Sequence, residues 1–482
     1  MSQPLATYRV RVLGCRVNHA ERRELEAVLR SRGLREAAPG RSADLEIVHT
    51  CGVTSRAAAK SRQAIRKARR NQQPGKAMLV TGCLVGTNPQ QARSLAGTTG
   101  TAIGHQVSVP KAIGVWLDAH GVPPPPASGD QSEPTVRSHA PRTPRTLPLP
   151  IAMLPDRPAR HLRAEVRIQD GCDAHCTFCI IPAARPVLRT KRPDVVLQEV
   201  ARLVDLGHPE IVLSGIFLGA YGHETALRRR QVRTTATPLA DLVDAVASTP
   251  GLQRLRLSSL EPGDVTVPLL DAFTAHEQVI VPHLHLPLQS GSDAILRRMN
   301  RQYDAGQYLD MIDQVNTALT KEGVPPAITT DIICGFPGES QDDFEQTVSI
   351  ANRVGFLHMH VFPYSARTGT AAARWTQSAV EPTITQERVR QLIDLETTPN
   401  SGLADAFRSH LIGREVRIFA EEPDTRRDDH WTGRCDHYCQ TSIPGPRRRG
   451  ELVRAIVRRI EDDVLLADPV PTAVRLPVLQ PL

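Results

Sequence analysis

The chain has 482 residues, more than one hydrophobic core usually serves, which predicts about two to four domains. No window approaches the roughly 20 apolar residues of a membrane span, and Met1 to Arg9 lacks the apolar run of a signal peptide, so a cytoplasmic protein is expected. Nine cysteines in a reducing compartment favour metal ligation or catalysis over disulfides, and the formal net charge of +8, although modest, is unevenly spread.

Residues 1–121 read as a small doubly wound α/β domain. Tyr8 to Leu13 is a strand-like run, followed by a helix expected from about Ala20 to Arg32, with Asn18 as N-cap, Glu21 three residues on and Gly33 as the stop. Leu45 to Val48 and Met78 to Val80 are two further strands. A cysteine follows each of the three: Cys15, Cys51 and Cys83. Parallel strands put such positions on one sheet edge, where three thiolates can hold an iron-sulfur cluster; three buried core cysteines are the alternative. Between Ile47 and Leu117 there is no Asp or Glu, and Arg56, Lys60, Arg62, Arg66, Lys67, Arg69 and Arg70 crowd one expected helix. Such a field attracts a phosphate backbone, although charge alone is equally compatible with a solvated face.

Residues 122–160, which include Pro123 to Pro126, are too Pro-rich to build a core and read as a semi-extended linker. Over 161–411 short β-rich runs alternate with helical segments. The strands expected are Glu165 to Gln169, Glu210 to Ser214, Arg254 to Ser258, His283 to Leu288, Ile328 to Cys334 and His358 to Phe362. Six such units fit a parallel sheet curled into a partial (βα)6 barrel. Asp194 is expected to cap a helix from Val195 to Leu206, and Glu224 to Thr237, with Arg228, Arg229 and Arg230, reads as a surface insertion.

Just after the first barrel strand stands Cys172-Asp-Ala-His-Cys176-Thr-Phe-Cys179. Three thiolates on one loop can hold three irons of a 4Fe-4S cube and leave the fourth without a protein ligand. An open iron can chelate the amino and carboxylate groups of S-adenosylmethionine (SAM) and pass an electron to its sulfonium. A structural zinc site is the alternative, with His175 as the nominal fourth ligand. Ser214-Gly215, Ser258 to Pro262, Leu286 to Ser292 and Gly335 to Glu339 also lie at strand ends, the edge where ligands bind in parallel sheets and barrels. Residues 412–482 read as a small antiparallel β-barrel, with strands Glu415 to Ala420 and Glu451 to Arg459 around the turn Gly445 to Gly450. Arg447, Arg448, Arg449, Arg454, Arg458 and Arg459 suit RNA binding there, or are simply solvated. Cys334, Cys435 and Cys439 read as ordinary thiols.

Both cysteine sets stand in longer patterns: Leu13-Gly14-Cys15-Arg16-Val17-Asn18, Thr50-Cys51-Gly52-Val53-Thr54, Thr81-Gly82-Cys83, Gln169-Asp170-Gly171-Cys172 through Pro182, and His285 through Asn300. On these the chain resembles the radical SAM methylthiotransferase family, over roughly residues 8–117 and 162–470. Gly14 to Asn18, Leu218 to Gly222 and His360 to Ser365 are most similar to the branch acting on N6-threonylcarbamoyladenosine beside the tRNA anticodon. His19, His49 and Pro186 depart from the family pattern. The resemblance implies a cluster-binding N-terminal domain, a radical SAM barrel and a C-terminal TRAM-like domain. It implies SAM and two 4Fe-4S clusters as cofactors: one on Cys172, Cys176 and Cys179, which cleaves SAM, and one on Cys15, Cys51 and Cys83, where the methylthio group would be assembled. Phe178, Gly215, Gln289 and Ser290 are the candidates it offers for the SAM pocket. The partners implied are the tRNA anticodon stem-loop and an electron donor such as flavodoxin or ferredoxin, with no membrane. Rival readings are isopentenyladenosine in tRNA or a ribosomal-protein aspartate as substrate, and a non-catalytic iron-sulfur or zinc protein that binds RNA.

Overall fold

In the computed structural model, which describes residues 5–98, 100–105, 108–122, 145–146, 161–228 and 237–471, the apolar runs of the first segment pair as a parallel sheet. Its strands are β1 (Thr7–Val12), β2 (Arg35–Glu36), β3 (Leu45–Thr50), β4 (Ala77–Gly82) and β5 (Gly100–Ile103), in the order β2-β1-β3-β4-β5. Leu45, Ile47, Leu79 and Val80 are fully buried, as strands covered on both faces require. The first helix, α1, spans Arg16–Ser31, and the second, α2, spans Ser55–Arg70.

The start of α1 corrects the expected cap. Gly14 turns the chain at a φ of +112°, and a Cβ there would sit 2.6 Å from the Cβ of Cys51, so only glycine fits this bend. The helix therefore begins immediately, with Cys15 as its N-cap residue. Asn18 lies inside the first turns and donates instead to the carbonyls of Leu13 and Thr50, at 2.7 and 3.1 Å. Glu21 closes no capping box; it is wholly buried.

The second segment holds six parallel strands: β6 (Arg163–Arg167), β7 (Glu210–Ser214), β8 (Arg254–Leu257), β9 (His283–His285), β10 (Ala327–Cys334) and β11 (His358–Pro363). They form two three-stranded sheets, joined through parallel bridges Leu255 to Ile280 and Ser259 to His285 into one partial barrel. Helices wrap the outside, and Val166, Leu213, Leu255, Leu284 and Ile332 share the core with Val200, Val243 and Phe344. Helix α3, Pro193–Asp205, starts one residue before Asp194, and its N-cap residue is Arg192. Pro193 suits the first helical position because its φ is already set, which leaves Asp194 in the first turn as the partner of the Arg192 side chain.

Of the stretch expected as a surface insertion, residues 229–236 lie outside the described residues, as do 123–144 and 147–160 of the linker. The part described is built into the barrel: Ala226 is fully buried, its N–H donates to Asp173 at 2.6 Å, and Arg228 pairs with Asp264 at 2.8 Å.

The last segment curls six short strands into a half-barrel: β12 (Glu415–Phe419), β13 (Glu422–Pro423), β14 (His430–Arg434), β15 (Gln440–Pro444), β16 (Leu452–Glu461) and β17 (Val464–Pro469). Its apolar core also takes in Val324, Ala327 and Leu357 of the barrel, so the two segments share buried surface across residue 411. Among the described residues no helix is long and apolar enough to cross a membrane.

Candidate active site

The Cys172 to Cys179 loop leaves the barrel through Gly171, whose φ of +80° and close approach to the Val187 carbonyl exclude a side chain. The loop is tied on three sides. The Asn300 side chain donates to the carbonyls of Ala174 and His175, Thr177 donates its hydroxyl to the carbonyl of Arg298, and Asp173 accepts from Thr225 and Ala226. Arg301, 6% exposed, donates to the sulfur of Cys176 at 3.2 Å and is held in turn by Glu261 and Tyr303. Burial pushes the thiols of Cys172 and Cys179 up, the latter to about 12, so each would ionise only on meeting a cation. His175, the nominal fourth ligand of a zinc site, is exposed.

At the facing edge of the N-terminal sheet, Cys15, Cys51 and Cys83 follow β1, β3 and β4 and lie close enough for their charges to interact. Parallel strands of matched register dictate that placement, as the sequence pattern suggested. Cys51 and Cys83 are buried, and Cys15 is exposed. Burial raises the Cys83 thiol to about 11, while Arg185 on the barrel side donates to its sulfur at 3.5 Å and opposes that rise. Cys83 also interacts electrostatically with Cys179, so the two cysteine sets adjoin across the contact between segments. Both donor sets suit iron-sulfur clusters in their chemistry, for each supplies three thiols, the donors such clusters take.

What brings the sets together is a buried ionic network whose members, Asp170 apart, stand outside the quoted motifs. Glu21 and Glu24 of α1 accept from Arg167, which lies at the end of β6, and Glu21 also takes Arg185, which in turn pairs with Asp170 at 2.6 Å. Lys191 bridges Glu24 and Glu199 at 3.1 and 2.6 Å. All of these side chains are at most 4% exposed. Burial alone would push the carboxyls of Glu21 and Asp170 up, but Arg185 and Arg167 hold both below their ordinary range. His49, one of the departures from the family pattern, lies in this network, 3.1 Å from Glu21. Arg185 is therefore a docking residue. A backbone atom of Ala184 lies where a Cβ on Gly86 would stand, a further sign of how closely the segments meet.

A cavity of about 660 Å³ opens between the three segments. Cys15 and Arg16 line it from the first segment, Gly215, His285 and His360 from the barrel, and Arg434, Tyr438 and Cys439 from the half-barrel. The His285 imidazole is 3.4 Å from Asp331, and His358 bonds both Glu396 and His360, at 2.6 and 3.1 Å. Of the expected SAM residues, Gly215 lines the cavity. Phe178 packs edge-on against Phe336, Gln289 turns the chain at a φ of +65°, and Ser290 is fully buried and accepts from the Ser292 N–H. Phe178 lies in the cysteine loop, Gln289 and Ser290 follow β9, and none of the three lines that cavity. Arg301, Arg434 and His358 were not singled out from the sequence, whereas His285 and His360 stood in quoted stretches without a role assigned to them. The available signal was the place of His285 at the end of β9 and of His358 and His360 on β11.

Helix α2 starts beside the cavity: Ser55 bonds Ser365 at 2.7 Å, and Arg367 donates to the Gly52 carbonyl. Arg56, Lys60, Arg66, Lys67, Arg69 and Arg70 along it are exposed, and none forms a salt bridge among the described residues. The half-barrel differs, for Arg454, Arg458 and Arg459 pair with Glu415, Asp468 and Glu461. Part of its positive charge is thus neutralised at home, although Arg434 and the exposed Arg448 have no salt bridge among the described residues, and the denser unpaired field belongs to α2.

Residues 7–104 match the uncharacterized protein family UPF0004, and residues 166–351 match the radical SAM superfamily. Over 443 residues the chain is 34% identical to the threonylcarbamoyladenosine tRNA methylthiotransferase MtaB of Bacillus subtilis, covering 92% of this chain and 91% of that protein. It is 32% identical to a tRNA-2-methylthio-N(6)-dimethylallyladenosine synthase of Thermobifida fusca, covering 88% and 79%. In fold it is similar to the radical SAM methyltransferase TsrM of Kitasatospora setae, solved with cobalamin and a 4Fe-4S cluster, with a TM-score of 0.50, 14% identity and 77% of each chain covered.

Proposed function

Because this chain belongs to the radical SAM methylthiotransferases of tRNA, with SAM and 4Fe-4S clusters as cofactors, we propose that its substrate is N6-threonylcarbamoyladenosine beside the anticodon. The carrying observation is the character of the cavity. Arg16, Arg434, His285, His358 and His360 offer cationic and hydrogen-bonding groups that suit the carboxylate and urea of a threonylcarbamoyl group. A dimethylallyl chain would leave such groups desolvated and unpaired. Arg16 and Arg434 both bond Tyr438, and neither has a salt bridge among the described residues, so both are available to an anion.

In this reading Cys172, Cys176 and Cys179 hold the cluster that engages SAM, Cys15, Cys51 and Cys83 hold the second, and Phe178, Gly215, Gln289 and Ser290 border the SAM pocket. The cofactors supply the one-electron chemistry that an adenine C–H bond demands and that side-chain acids and bases cannot. The chain's own residues position and shield. Arg301 steadies Cys176, the Glu21 network keeps the two cysteine sets adjacent, and α2 draws the tRNA backbone towards the cavity mouth. A reducing cytoplasm and a flavodoxin- or ferredoxin-like donor fit a chain of nine unpaired cysteines. Mass spectrometry of tRNA nucleosides from cells lacking the gene tests the substrate. Loss of the 2-methylthio derivative with N6-threonylcarbamoyladenosine retained is expected; loss of 2-methylthio-dimethylallyladenosine instead would assign the enzyme to the other base.

A further inference from the structure

The hairpin that joins β14 to β15 reads Cys435-Asp436-His437-Tyr438-Cys439, and its two thiols, taken singly, look like ordinary core cysteines. The register makes them a pair. Arg434 faces Gln440, so Cys435 and Cys439 close the loop, with the Cys435 N–H donating to the Cys439 carbonyl at 3.0 Å. Partners across an antiparallel pair project to the same face of the sheet. The two thiols accordingly stand side by side, the Cys439 thiol donating to the His437 carbonyl at 3.7 Å, and both are buried, at 0% and 2% exposure. The intervening turn brings more donors to the same point: one ligand atom each from Cys435, Asp436 and His437 lies within 4.8 Å of the others. Tyr438 makes this possible by taking a left-handed φ of 68°.

We propose that Cys435, His437, Cys439 and Asp436 form a zinc site that pins this turn at the wall of the cavity. Two sulfurs, an imidazole nitrogen and a carboxylate oxygen are the donors a tetrahedral zinc ion takes, and the thiolate pair selects against magnesium and calcium. The surroundings are cationic. Arg254 and Arg256, 1% and 2% exposed, share the single carboxylate of Glu210 with Arg163. Both point onward at the hairpin: Arg256 donates to the carbonyls of Cys435 and Asp436, and Arg254 to that of Arg434. Glu421 also reaches Arg163, at 4.0 Å, and the Asp436 carboxylate pairs with Arg417 at 3.3 Å, so guanidiniums still outnumber carboxylates around the hairpin. Two thiolates balance the divalent ion, so the site would keep the single negative charge of Asp436 that these guanidiniums already face. The site also has a consequence for the cavity. Tyr438 stacks on His283 at 4.3 Å between ring centroids, lies under Arg434 at 4.5 Å and accepts from Arg16, so the metal would fix the ring about which both cationic side chains gather.

The test is metal analysis of the iron-loaded enzyme after an EDTA wash, so that no vacant cluster site can take up zinc. One zinc per chain is expected beside about eight irons, with zinc-edge X-ray absorption showing two sulfurs at about 2.3 Å and nitrogen or oxygen at about 2.0–2.2 Å. Joint substitution Cys435→Ala and Cys439→Ala should lower zinc at least tenfold and leave iron unchanged. Iron-loaded enzyme without zinc, zinc that survives the double substitution, or a Cys435 to Cys439 disulfide in non-reducing peptide mass spectrometry would each overturn the proposal. Should the variant not fold, zinc content and sulfur coordination in the native enzyme decide alone.

Discussion

The barrel carries two flanking domains, and it attaches both through buried arginines used in opposite ways. Towards the N-terminal domain, Arg167 and Arg185 meet the carboxylates of Glu21, Glu24 and Asp170, so the contact is a balanced set of charges. Towards the half-barrel, Arg254 and Arg256 rest on one carboxylate of the barrel itself, Glu210, and spend their remaining donors on backbone carbonyls of Arg417 and of the hairpin at 434–436. The first arrangement reads the partner's side chains; the second reads the shape of its backbone. A contact that must hold two cysteine sets in register is built from mutually dependent charges, each of which is destabilising without the others. A contact that orients a turn needs only its carbonyls in place, and its apolar core with Val324, Ala327 and Leu357 supplies the rest. For the same reason point substitutions test the half-barrel better than removing residues 412–482, which would strip cover from those barrel side chains.

The largest effect is expected at Glu21. Glu21→Gln leaves Arg167 and Arg185 short of a buried carboxylate and should destabilise the folded chain by about 3–5 kcal/mol, measured as a fall in the urea midpoint. An unchanged midpoint would mean that charge balance does not hold this interface.

Next comes the acid limb of the other contact. Burial opposes ionisation of Glu210, but Arg256, Arg163 and Arg254 outweigh it and bring the carboxyl down from its ordinary value of 4.5 to about 2. A group lowered on folding stabilises above its unfolded value, and that stability drains away as pH falls towards the folded one. Glu210 should thus contribute on the order of 3 kcal/mol above pH 4.5, lost progressively down to about pH 2. In Glu210→Gln, stability against pH should be flatter over that window than in the native enzyme; parallel curves would refute the assignment.

Arg256→Met should cost less, about 1–3 kcal/mol, because it strands the carbonyls of Cys435 and Asp436 without removing the apolar core. Hydrogen exchange should quicken in residues 434–440 and stay unchanged in α1; faster exchange in both would show that the two contacts are not independent.

Smallest is the effect on RNA affinity at one position. Lys60→Ala or Arg66→Ala on α2 should weaken tRNA binding and reduce the salt slope by about one unit per lost phosphate contact, whereas Arg454→Ala, whose guanidinium is paired with Glu415, should leave the slope unaltered. The reverse ranking would return the RNA grip to the half-barrel.

Much of this molecule is written in short stretches of sequence. The strand at Glu210–Ser214, the three strand-end cysteines of the first domain, the Cys172 to Cys179 loop and the six βα units follow from periodicity and punctuation that act over a few residues. Local signals erred where a distant partner claimed the same side chain: Asn18 and Glu21 look like a cap, yet Arg185, more than 160 residues away, takes both into an interior network. The cavity was beyond reach for the same reason, since Arg16, His360 and Arg434 come from three segments and meet only when those segments dock. Cys435 and Cys439 were visible as residues but not as a pair, because a one-residue change of hairpin register would turn one thiol away. The sequence by itself determined which elements form and which residues stand at their ends, because backbone preference and amphipathic period are local. Tertiary structure alone decided which charges compensate one another, because desolvation and ion pairing depend on what is brought into contact, not on what is adjacent in the chain.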